Sequence, residues 1–76
     1  MKRIALIEDD ADIAYSVALN LERDGYRVDH FSNGHEGLTA LQQSTFDFLI
    51  LDLNLPDLDG FTICRELRRD RASAIA

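Results

Sequence analysis

Three carboxylates stand where this chain could do chemistry. Glu8-Asp9-Asp10 closes the apolar run Ile4-Ala5-Leu6-Ile7, and Asp52 closes a second run, Phe46-Asp47-Phe48-Leu49-Ile50-Leu51. If the two runs are neighbouring strands, Glu8, Asp9 and Asp52 meet at one rim. Like charges so placed repel, so the cluster calls for a proton or a cation. Hard oxygen donors select Mg2+, Mn2+ or Ca2+ over Zn2+. The chain turns after Asp52, so the backbone carbonyl of Asn54 is available as a further ligand. A cation beside a strand-end Asp also bridges to phosphoryl oxygen, which would make Asp52 a nucleophile able to form an aspartyl phosphate. The competing reading is that Glu8, Asp9 and Asp10 are helix-start acids favoured by the helix dipole.

The elements that must position these groups alternate. Ile4–Ile7 is a short apolar run cut off by acids, the pattern of a strand covered on both faces. Asp10 or Asp12 caps the following helix, whose stripe is Ile13, Val17 and Leu21 with Ala14 and Ala18, and Gly25 ends it. Tyr26–Phe31 reads as an edge strand. Ser32-Asn33-Gly34 opens a second helix, with Leu38 and Leu41, running through Gln43. Phe46–Leu51 is the strongest strand signal. A loop punctuated by Pro56 and Gly60 leads to a third helix from about Gly60 to Arg69, with Phe61, Cys64 and Leu67 on one face. The order β-α-β-α-β-α implies parallel strands joined by right-handed crossovers, with ligands beyond the strands' carboxyl ends.

Composition bounds the partners. The 76 residues carry 14 acidic and 8 basic side chains, for a net charge of -6. That balance argues against nucleic-acid binding by this segment, since phosphate contacts need clustered Lys and Arg. Arg65, Arg68, Arg69 and Arg71 suit the end of a helix instead. No apolar run approaches the roughly 18 residues of a membrane span, and no signal peptide opens the chain. A lone Cys64 forms no internal disulfide, fits a small hydrophobe on the third helix, and points to a reducing, cytoplasmic setting. His30 and His35 are expected on the surface. Asp57-Leu58-Asp59 resembles a phosphatase nucleophile motif, but Pro56 separates it from the strand that motif requires. Asp57 and Asp59 are therefore expected to solubilise the loop or cap a helix.

Taken together, Ile4-Ala5-Leu6-Ile7-Glu8-Asp9-Asp10 and Leu49-Ile50-Leu51-Asp52-Leu53-Asn54-Leu55-Pro56-Asp57-Leu58-Asp59-Gly60 resemble the receiver domain of two-component response regulators, in the branch with a winged-helix output domain. The resemblance implies an α/β, flavodoxin-like doubly wound parallel sheet, here truncated to three strands in the order 2-1-3. It implies that residues 1–76 are a partial receiver. Asp52 is then the phosphoacceptor, Asp9 a direct Mg2+ (or Mn2+) ligand, Glu8 a ligand through water, and the Asn54 carbonyl completes the protein's share. The implied partner is a sensor histidine kinase, with transcriptional output from a further domain. Such a receiver is an acceptor and not a turnover enzyme. The family also has five strands, a Ser or Thr after the fourth and a Lys after the fifth. Here the one lysine is Lys2, and Ser73 precedes any fourth strand. The expectation is a fragment whose exposed third strand self-associates, pairing antiparallel with its two-fold mate.

Overall fold

A computed structural model describes residues 1–52 and 55–69. The order is β1 (Arg3–Ile7), α1 (Ala11–Arg23), β2 (Arg27–Phe31), α2 (Gly34–Gln43), β3 (Phe48–Leu51) and α3 (Gly60–Arg69). The three strands form one parallel sheet in the order β2-β1-β3. The expected fold class is thus the observed one. Asn54, Arg71 and Ser73 lie outside the described residues.

The central strand explains the sheet. Ile4, Ala5, Leu6 and Ile7 are all buried, as an unbroken apolar run between two neighbours should be. Ala5 and Ile7 face a core made with Leu41 of α2, Phe46, Leu55, and Ile63 and Leu67 of α3. Ile4 and Leu6 therefore point to the other face, because successive strand side chains alternate. α1 lies against β1 and β2, while α2 and α3 pack on each other. The chain leaves β1 towards β2 and then returns across it to β3. Right-handed crossovers must place those two connections on opposite faces, which opens a crevice between β1 and β3 at their carboxyl ends.

Helix ends follow local chemistry. Asp10 caps α1, its Oδ1 accepting the N–H groups of Asp12 at 2.9 Å and Ile13 at 3.1 Å. Gly25 follows the helix at φ 96°, a left-handed conformation that only glycine adopts without strain. Asn33 caps α2 by accepting from Glu36 N–H at 2.9 Å.

Two expected stripes and one strand boundary shift. On α1 the inward positions are Ala14, Val17, Ala18 and Leu21, while Ile13 is exposed. On α3 the buried positions are Gly60, Ile63 and Leu67, Cys64 is half-buried, and Phe61 is exposed. Phe61 is one residue past Gly60, about 100° around the helix, so it turns away from the core. The third strand begins at Phe48 rather than Phe46. Asp47 causes this: its N–H donates to Arg3 C=O at 2.8 Å and its Oδ2 accepts Arg3 N–H at 2.8 Å. That exchange turns Phe46 into the core, beneath the Arg3 guanidinium at 4.4 Å from the ring centre. No helix among the described residues is long and apolar enough to cross a membrane.

Candidate metal centre

Backbone bonds past the strand ends fix the acidic rim. Glu8 N–H donates to Phe31 C=O at 3.1 Å, and Asp52 N–H donates to Ile7 C=O at 3.0 Å. The ladder thus runs one residue further on each side and sets Asp52 beside Glu8. Glu8, Asp9 and Asp52 each present a carboxylate oxygen, and these oxygens lie within 4.8 Å of one another. Glu8 and Asp52 are half-buried and Asp9 is exposed. The sequence-predicted trio is therefore brought together. Asp10 is not part of it, because its carboxylate is spent on α1.

The cluster is electrostatically frustrated. A hydrogen bond shared with Asp52 lifts the Glu8 carboxyl above its usual range. Partial burial and the Asp52 charge push the same way, and the Asp10 N–H pulls back. A shared proton is what crowded carboxylates adopt when no cation is at hand. Three hard oxygens at this spacing also suit a small divalent cation, which Mg2+ would complete with water. The residues present thus fit the expected ion.

Sequence reasoning missed one neighbour of this rim. His30 Nε2 lies 2.8 Å from the Glu8 carbonyl oxygen. A carbonyl only accepts, so Nε2 carries the proton, and the exposed ring braces Glu8 from β2. No spacing rule signals such a contact, since its acceptor is backbone.

Asp57 and Asp59 hold amides instead of crowding one another. Asp57 Oδ1 accepts from Gly34 N–H at 2.8 Å and Oδ2 from His35 N–H at 2.9 Å. The His35 ring stands 3.9 Å from the same carboxylate. Asp59 Oδ1 accepts from Thr62 N–H at 2.7 Å at the start of α3. Desolvation works to raise the Asp57 carboxyl, but the N–H groups of His35, Gly34, Leu58 and Asp57 outweigh it and hold it below the usual range. The Thr62 N–H, aided by its hydroxyl, does the same for Asp59. The capping expectation is met for both.

With this geometry in view, comparison with known proteins is decisive: residues 4–75 match the response regulator receiver domain. The chain belongs to that family. The receiver is 45% identical over 74 residues to the DNA-binding dual master transcriptional regulator RpaA of Synechocystis sp., covering 97% of this chain and 31% of RpaA. It is 42% identical over 69 residues to the transcriptional regulatory protein AfsQ1 of Streptomyces coelicolor, covering 91% of this chain and 31% of that protein. This receiver sequence thus spans about a third of the length of the curated relatives it matches. Among solved structures, the response regulator TrrA from Thermotoga maritima in complex with Mg2+-BeF matches with TM-score 0.89 and 31% identity, over 93% of this chain and 62% of that one. The complex of the histidine kinase ThkA with TrrA matches with TM-score 0.89 and 30% identity, over 99% of this chain and 66% of that one.

Proposed function

We propose that this chain is the acceptor part of a phosphorylation switch, residues 1–76 forming part of a receiver domain. Asp52 takes a phosphoryl group from the phosphohistidine of a sensor kinase, and the change passes to a transcriptional output domain. Asp9 holds Mg2+ (or Mn2+) directly, Glu8 holds it through water, and the Asn54 carbonyl adds a ligand. The observation that carries this reading is the convergence of Glu8, Asp9 and Asp52 at the crevice between β1 and β3. The relatives' roles as transcriptional regulators support the output. TrrA's complexes with Mg2+-BeF and with ThkA support the ion and the kinase.

In the transfer, an Asp52 carboxylate oxygen forms a P–O bond as the donor's P–N bond breaks. The electron pair leaves on the imidazole nitrogen, which takes a proton. Bound at the trio, Mg2+ supplies charge neutralisation at the phosphoryl oxygens. Asp52 must be ionised to attack, and a cation held by Glu8 and Asp9 would favour that charged form. The chain acts as acceptor, not as a turnover enzyme. The test is exposure to acetyl phosphate with Mg2+: a mass gain of one phosphoryl group that disappears in Asp52→Asn is expected. A gain retained in Asp52→Asn overturns the assignment.

A second reading concerns residues 1–76 on their own. β3 pairs with β1 alone in the described sheet, and Phe48 and Ile50 are each 37% exposed. With Ile4, Leu21, Tyr26 and Leu49 they line an open hollow of about 330 Å³. Such an edge recruits another strand, and a two-fold mate pairs with it antiparallel, giving a self-associating module. Light scattering is expected to show mass rising with concentration. A stable monomer at high micromolar concentration overturns this reading.

A further inference from the structure

Among the described residues, the loop after β3 is hydrogen-bonded to the first turn of α2 through the carboxylate of Asp57. A helix N-terminus leaves its first four N–H groups without intrahelical partners, and its own cap serves one or two. In α2 the Asn33 side chain accepts from Glu36, and the helical ladder begins with Gly37 N–H donating to the Asn33 carbonyl. The first two helical residues, Gly34 and His35, donate to Asp57. A second observation marks the same junction. A Cβ on Gly34 would lie 2.8 Å from Leu58 Cβ, 3.1 Å from Asp57 Oδ1 and 3.2 Å from Ile63 Cδ1. The loop sits so close that only glycine leaves room for it.

These contacts close a ring around the acidic rim. Asp52 is fixed to Ile7, and Ile7 leads directly to Glu8. Glu8 is fixed to Phe31, from which the chain runs through Asn33 into α2. The first turn of α2 is fixed to Asp57, on the loop that begins at Asp52. Of these three closures, two are backbone bonds, and that of Asp57 is made by its side chain.

We propose that Asp57 is a positioning residue for the acidic site, latching the loop to α2 so that Asp52 is held at cation-binding distance from Glu8 and Asp9. The inference rests on the reading that this trio binds a divalent cation. Coupling is reciprocal, so cation binding must also tighten the latch. Calorimetric titration of the chain with Mg2+ tests it, well below the melting temperature of each variant. Asp57→Asn keeps one acceptor oxygen, Asp57→Ala keeps none, and Asn33→Ala weakens α2 without touching the loop. At least a threefold rise in the Mg2+ Kd is expected for Asp57→Asn, a larger rise for Asp57→Ala, and no change for Asn33→Ala. In the unmodified chain, Mg2+ is expected to slow hydrogen exchange at the Gly34 and His35 amides. Equal Mg2+ affinity in all variants overturns the latch, as does an equal loss in Asn33→Ala, which would make Asp57 a helix stabiliser only. An unmodified chain that binds no Mg2+ at millimolar concentration removes the cation reading itself, and the latch with it.

Discussion

Asp52 and Asp57 lie on the same loop under opposite conditions. Asp52 shares a crowded rim with Glu8 and Asp9, and its hydrogen bond with Glu8 holds the Glu8 carboxyl above its usual range. Asp57 faces two backbone N–H groups at the positive end of α2. One group of acids stores repulsion that a cation can release, and the other spends its charge on holding the fold. The contrast teaches that acid count says little, and that what each oxygen accepts decides its role.

The largest expected effect breaks the frustrated side. Mg2+ at about 100 times its Kd should stabilise the chain by roughly 2.7 kcal/mol, read as a rise in melting temperature, and Asp52→Asn should abolish most of it. Next comes the satisfied side. Gly34→Ala would ordinarily gain about 1 kcal/mol of helix propensity, but the clash with Leu58 should leave a net loss of roughly 1–2 kcal/mol in denaturant unfolding. Asp10 lies in the same acidic run as Glu8 but caps α1, so Asp10→Ala should cost about 1 kcal/mol. Glu8→Gln should do the reverse without Mg2+, adding at most about 1 kcal/mol, the scale of two charges 4 Å apart in water.

The smallest effect sharpens the comparison through pH. Glu8 binds its proton more tightly folded than unfolded, so its contribution is greatest below 4.5 and fades as pH rises through its raised value. Asp57 and Asp59 behave oppositely. Their contribution is complete above 3.8 and is lost as pH falls through their lowered values. Without Mg2+, these groups should place maximal stability between 3.8 and 4.5 in a pH series of urea melts. Mg2+ should flatten the alkaline side by replacing the Glu8 proton.

Much of this was legible from residue order. Acids closing two apolar runs, in a chain that alternates strand and helix, must meet if the strands are parallel neighbours, and Glu8, Asp9 and Asp52 do. The Asp57 latch was half legible. Its residue type suggested capping, but the helix it serves starts 23 residues earlier, and the amides it binds carry no sequence signal. Ile13 and Phe61 were misplaced because each helix offers two overlapping apolar stripes. Ala14 and Ile63 won by pointing at the sheet. Phe46 left the strand because Asp47 exchanges bonds with Arg3, a long-range pairing that periodicity does not encode.

Arg3 carries a consequence for the whole molecule. At the amino end of the sheet its guanidinium meets Asp29 at 2.9 Å and the Thr45 carbonyl at 3.2 Å, and Arg27 approaches Asp29 at 3.9 Å. Opposite charges meet there, whereas the carboxyl end of the sheet gathers the carboxylates of Glu8, Asp9 and Asp52. That acidic end should draw cations from several ångströms out, and added salt should slow their arrival.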